Sequence, residues 1–147
     1  MKLSFRIKHH FFSAFREIFV HHHGSLEFRA KIFALIIAAN DKPQVENFIL
    51  VKEKALEIYS DDKDRANLLL LTTKELVEKV KKKNTLDLDS LVVTIQKELK
   101  IVPRYAKKID VASLRGFLDL TNDEDTLAYQ TNIIEFLENL KAETLKN

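Results

Sequence analysis

The sequence contains no cysteine, no tryptophan, and only two glycines and two prolines among its 147 residues. Because cysteine is absent, a disulfide framework and a thiolate metal site are both excluded, and nothing indicates an oxidising compartment. Strand-rich folds need many tight turns, which glycine and proline most often supply. Their scarcity therefore favours long helices joined by short polar connections.

Long apolar runs are also absent. The longest one, residues 32–39, is far below the roughly 20 residues that a helix needs to cross a bilayer. Hydrophobic residues make up 46% of the chain and charged residues 31%, a balance typical of a globular protein rather than a disordered one. We therefore expect a folded domain located in the cytoplasm.

Common catalytic motifs are missing too. The sequence has no G-x-S-x-G, no H-E-x-x-H and no glycine-rich phosphate loop. All five histidines precede Ser25, so a histidine acid or base would have to reach from the N-terminal segment into a distant pocket. We expect a non-catalytic domain, and a metal-dependent hydrolase that uses acidic turns is kept as an alternative.

The net charge of +2 is small, but its distribution is uneven. Residues 79–108 contain nine Lys or Arg against three Asp or Glu, whereas residues 110–147 contain three against eight. Such segregation lets the two regions face each other, or it presents a basic face to an anionic partner. We expect a protein partner of unknown identity and no nucleic acid.

Apolar residues recur at helical spacing in every long segment, which predicts an all-α bundle of about six or seven helices. The first helix with a clear apolar pattern begins near Leu26. Its apolar residues lie on all sides of the helix, so it should be buried. A second helix follows Pro43. Its predicted inner face comprises Val45, Phe48, Ile49, Val51 and Leu56.

Polar residues mark the helix starts. Asp41 and Gln44 match a D-x-x-Q capping box before the second helix, and Thr121 and Glu124 match a T-x-x-E capping box before the last one. Asp87 and Asp110 are expected N-caps of later helices, and the segment Ser60–Asp62 is expected to end the second helix and start the third.

One of these turns carries a family resemblance. The segment Ile36–Asp41, followed by Glu46, resembles the hallmark of the TerB-like, tellurite-resistance-associated helical family: an apolar helix ending in small residues, an Asp, commonly a Gly, then a Glu opening the next helix. Lys42 stands where Gly is usual in that family. The resemblance extends over residues 26–140.

The family also tends to carry a second, similar pair of helices, and residues 114–140 are the candidate, with Thr121–Glu124 at the turn. The resemblance therefore implies a compact all-α domain built from two related helical hairpins, with acidic residues at the turns. It also implies a link to stress or tellurite resistance and to divalent metal. Enzymatic activity is not implied.

Acidic residues at the two turns form the candidate metal site. If the hairpins pack side by side, carboxylates from both turns would approach one another and repel unless a hard divalent cation neutralised them. No other cofactor is indicated. The candidate ligands are Asp41, Glu46, Asp119, Asp123 and Asp125.

The second turn also alternates oxygen ligands as a calcium loop does, from Asp119 to Asp125. It departs from the EF-hand pattern in two places. Glu124 replaces the glycine at position six, and Gln130 replaces the bidentate glutamate at position twelve. An EF-hand is therefore not expected.

The chain divides by composition into a basic aromatic segment, residues 1–24, a TerB-like helical domain, residues 25–141, and a frayed tail, residues 142–147. Large apolar residues in the first segment alternate with Lys, Arg and His. It is either a helix docked on the core or a peripheral membrane contact through residues 1–20. The run His21–His23 is a candidate for adventitious metal binding.

Overall fold

A computed structural model describes residues 24–82 and 86–146 of the chain. These residues form six α-helices and two short 3₁₀-helices, without a strand, which confirms the all-α prediction. The α-helices are α1 (Gly24–Ala38), α2 (Val45–Ile58), α3 (Lys63–Lys81), α4 (Leu88–Ile101), α5 (Val111–Arg115) and α6 (Glu124–Lys146); the 3₁₀-helix η1 (Pro103–Lys108) precedes α5, and η2 (Gly116–Leu120) follows it.

Helix α1 is the centre of the bundle. Every residue of the apolar run 32–39 is buried, and Phe28 is fully buried one turn earlier. The helix packs most extensively on α3 and also contacts α4, η1 and α6. A helix that is apolar on all sides is stable in water only when other elements cover every side. The prediction of a buried first helix is confirmed.

Helix α2 presents a different face to the core from the predicted one. Val51 is buried as expected, but Val45, Ile49 and Leu56 are 70%, 50% and 39% exposed. The remaining buried residues of α2 are Asn47 and Ala55. Apolar residues lie on both sides of this helix, which packs against α3. Tertiary contacts, and not the helical period alone, decide which side is covered.

Three aspartates cap helices, which confirms the predicted caps Asp87 and Asp110 and makes Asp62 the cap within the predicted boundary Ser60–Asp62. In each case an aspartate carboxylate accepts a hydrogen bond from the backbone amide three residues later, which satisfies a donor that has no partner within the helix. The pairs are Asp62 with Arg65 at 3.0 Å, Asp87 with Ser90 at 2.7 Å, and Asp110 with Ser113 at 3.2 Å.

The predictions for the two ends of the chain have different outcomes. Residues 1–23 lie outside the described residues, so the predictions for the basic aromatic segment and for the run His21–His23 do too. At the other end, α6 continues to Lys146 and includes most of the segment that the sequence assigns to a frayed tail. In the described part of the chain, no helix has the length and apolar character required to span a membrane.

Candidate functional site

The turn between α1 and α2 is held by its own polar side chains. The Asn40 carboxamide oxygen accepts from the Lys42 amide at 3.0 Å, and the Gln44 carboxamide donates to the Lys42 carbonyl at 3.1 Å. Gln44 occupies the N-cap position of α2 without a side-chain cap. The predicted capping box of Asp41 and Gln44 is therefore wrong, because Asn40 and not Asp41 organises this turn. The Asp41 carboxylate is left exposed.

The turn before α6 also differs from its predicted capping box. Helix α6 begins at Glu124, and Asp123 is its cap, accepting from the Thr126 amide at 3.0 Å and from the Thr126 hydroxyl at 2.8 Å. These hydrogen bonds, the hydroxyl foremost, lower the pKa of the Asp123 carboxyl below its ordinary value of 3.8. Thr121 therefore does not cap α6.

Thr121 and Gln130 connect this second turn to α1. The Thr121 hydroxyl donates to the Gln130 carboxamide oxygen at 2.7 Å, and the Gln130 carboxamide donates to the Ile36 carbonyl at 2.9 Å. Gln130 is completely buried. The carbonyls in the last turn of a helix lack partners within it, so Gln130 satisfies one that α1 would otherwise leave unpaired. This chain of hydrogen bonds places the second turn beside the first.

The two turns together line one polar cavity of about 700 Å³. Four of the five carboxylates predicted from the sequence lie in its wall, although Asp41 and Asp119 are far apart in the chain. Asp125, in the first turn of α6, does not line it. The residues that line this acidic cavity are Asn40, Asp41, Lys42, Gln44, Glu46, Asp119, Leu120, Thr121, Asn122, Asp123 and Thr126.

The donor set fits a hard cation, but the spacing restricts how one is held. Carboxylate, amide and hydroxyl oxygens are the ligands that calcium and magnesium prefer. Within residues 24–82 and 86–146, however, no three acidic or histidine side chains stand close enough together to hold a metal ion directly. All four cavity carboxylates are exposed to solvent. The arrangement therefore suits an ion that keeps part of its water shell, as magnesium commonly does.

Two residues near the cavity were not identified from the sequence as important. Gln130 entered the sequence argument only as a departure from the EF-hand pattern, yet it joins the two turns. Asn47 is completely buried one turn into α2, and its carboxamide oxygen has no hydrogen-bond partner in the described chain. Both residues could have been found from helical spacing, because each places a carboxamide on the side of its helix that faces the core. Asn47 precedes Val51 by four residues, and Gln130 precedes Ile134 by four.

Comparisons with known proteins add no assignment to this geometry. The chain matches no protein-family model, no curated protein and no solved structure.

Proposed function

We propose that this chain is a non-catalytic, TerB-like helical domain that acts in the cytoplasm, in stress or tellurite resistance, by binding a divalent cation. The supporting observation is the acidic cavity, where two turns that are distant in sequence come together. These are the two turns that the resemblance to the TerB-like family singles out. The domain proper is residues 25–141, with the basic aromatic segment before it.

The cavity holds the ion together with part of its water shell, between oxygen atoms of both turns. Asp41 and Glu46 on the first turn, and Asp119 on the second, accept hydrogen bonds from the water molecules bound to the ion. Asp123 already accepts two hydrogen bonds from Thr126. Its main contribution to the cavity is therefore its negative charge, rather than a free oxygen that binds the ion. A cation that bridges the turns offsets the repulsion among these carboxylates. Binding then stabilises the folded state by mass action.

Isothermal titration of the full chain with calcium and, separately, with magnesium tests the proposal. These two ions prefer oxygen ligands, whereas zinc, nickel and copper bind histidine and would report on His21–His23. We expect saturable binding to the natural chain and its loss in the double variant Asp41→Asn/Asp119→Asn. The matched control is Glu53→Gln/Asp89→Asn, which removes two exposed carboxylates that do not line the cavity.

Binding that persists unchanged in Asp41→Asn/Asp119→Asn would contradict the proposed site. Equal losses of binding in that variant and in the control would mean that calcium binding depends on the overall charge of the protein and not on the cavity.

A further inference from the structure

A second charged region lies at the opposite end of α1. It consists of Arg29 on α1 with Arg104, Lys107 and Lys108 on η1, and we name these four residues the basic face. Partial burial, together with the charges of Arg29, Arg104 and Lys107, lowers the pKa of the Lys108 ammonium below its ordinary value of 10.5. None of the four forms an ion pair with a carboxylate of the described chain. Within residues 24–82 and 86–146, no carboxylate therefore neutralises their positive charge.

Aromatic rings contact the two arginines of the basic face. The Arg104 guanidinium lies 5.6 Å from the centre of the Tyr105 ring, and that ring lies 5.3 Å from the ring of the buried Phe28. The Arg29 guanidinium lies 6.0 Å from the centre of the Tyr59 ring. Such contacts are attractive and restrict the guanidinium groups without neutralising them. The basic face is consequently anchored to the core through partly buried tyrosines.

The first described residue lies beside the basic face. Tyr105 packs so closely on Gly24, the first residue of α1, that a Cβ on Gly24 would lie 2.6 Å from the tyrosine hydroxyl oxygen. Residues 1–23 precede Gly24 in the sequence. They contain four Lys or Arg and a single acidic residue, Glu17. Six of their large apolar residues are Phe5, Phe11, Phe12, Phe15, Ile18 and Phe19.

We propose that the basic face binds the anionic phospholipid headgroups of a membrane surface. Clusters of four to eight Lys or Arg beside an amphipathic segment bind such surfaces electrostatically. A nucleic acid also presents phosphates. It offers no apolar phase for the six large side chains of residues 1–23, whereas the boundary between headgroups and acyl chains does. The site lies at the other end of α1 from the acidic cavity and does not depend on the function proposed for that cavity.

Co-sedimentation of the full chain with vesicles tests this inference. One set of vesicles is pure phosphatidylcholine and the other contains about one third phosphatidylserine. Arg104 and Lys107 are both exposed, so the variant Arg104→Gln/Lys107→Gln should fold normally, which its thermal unfolding checks. Each such cation strengthens binding to an anionic surface about fivefold, so we expect a loss of about 30-fold in partition to the anionic vesicles.

The control variant Lys82→Gln/Lys97→Gln also removes two exposed cations, and we expect it to bind like the natural chain. The charge-conserving variant Arg104→Lys/Lys107→Arg should retain binding. Failure of the natural chain to bind anionic vesicles would overturn the inference, and so would equal losses in the test and control variants. Binding to duplex DNA or RNA, but not to vesicles, that is lost in Arg104→Gln/Lys107→Gln would assign the face to nucleic acid instead.

Discussion

The acidic cavity and the basic face lie towards opposite ends of α1, a helix about 22 Å long at 1.5 Å per residue, and different kinds of contact form them. The cavity depends on hydrogen bonds that join distant segments, since Gln130 reaches the Ile36 carbonyl across 94 residues of sequence. The basic face depends on neighbouring residues of one short helix and on ring contacts with Phe28 and Tyr59. Loss of one buried side chain should therefore disturb the cavity, whereas changes at the basic face should alter charge and leave the fold intact.

The largest predicted effect comes from separating the two turns. Gln130→Ala leaves the Ile36 carbonyl without its partner in a buried place and creates a small cavity, so we expect a loss of about 2–3 kcal/mol in the free energy of unfolding. Urea unfolding at neutral pH measures it. Asn132→Ala, at an exposed position of the same helix, should change stability by less than about 0.5 kcal/mol. Similar values for the two variants would show that Gln130 does not join the turns.

The features that sequence alone predicted correctly are those that depend on local chemistry. The apolar run 32–39 predicted a buried helix, and Asp62, Asp87 and Asp110 predicted helix starts, because a cap depends only on the next three residues. The face of α2 that packs on α3 and the role of Gln130 depend on tertiary contacts, which periodicity does not specify.

The candidate site illustrates the same limit. Four of the five carboxylates named from the sequence line one cavity, and Asp125 does not. The details of each turn were wrong, since Asn40 replaces Asp41 and Asp123 replaces Thr121 as the organising residue. Several nearby side chains compete to satisfy the same few amides, and the structure decides among them.

A smaller effect, in the opposite direction, is expected beside the cavity. Asn47→Leu keeps the branching of the side chain and removes a buried carboxamide oxygen that has no partner. It also removes the 3.3 Å hydrogen bond from the carboxamide nitrogen to the Gln44 carbonyl, which still accepts from the Asn47 backbone amide. We expect the free energy of unfolding to rise by about 1 kcal/mol. Asn47→Asp, which places a charge at the same position, should instead destabilise the chain. Denaturant unfolding of both variants measures the changes, and a less stable Leu variant would mean that the hydrogen bond to Gln44 outweighs the cost of the unpaired oxygen.

The smallest predicted effects are changes in folding stability with pH, and they differ between the acidic cavity and the basic face. The pKa of Asp123 is lowered in the folded state. Its stabilising contribution is therefore fully present above about pH 3.8, and it disappears as the pH falls through the folded-state pKa. Lys108 also has a lowered pKa, but for a cation this means that the folded state gains stability as the pH rises through its folded value towards 10.5.

Unfolding measured across pH for Asp123→Ala and Lys108→Met checks this difference. Asp123→Ala should be less stable than the natural chain at neutral pH and approach it in acid. Lys108→Met should be more stable at neutral pH, with the advantage shrinking in alkali. Parallel curves for the natural chain and either variant would contradict the assigned pKa direction for that residue.

The most direct test of the central claim is the shift of the thermal unfolding midpoint by calcium in three full-length proteins: the natural chain, Asp41→Asn/Asp119→Asn and Arg104→Gln/Lys107→Gln. For a dissociation constant of about 1 mM, about 10 mM calcium stabilises the folded state by about 1.4 kcal/mol, which raises the midpoint by about 4 °C. We predict this shift in the natural chain and in the basic-face variant, and its loss in the cavity variant. The same shift in all three proteins would contradict a cation site in the acidic cavity.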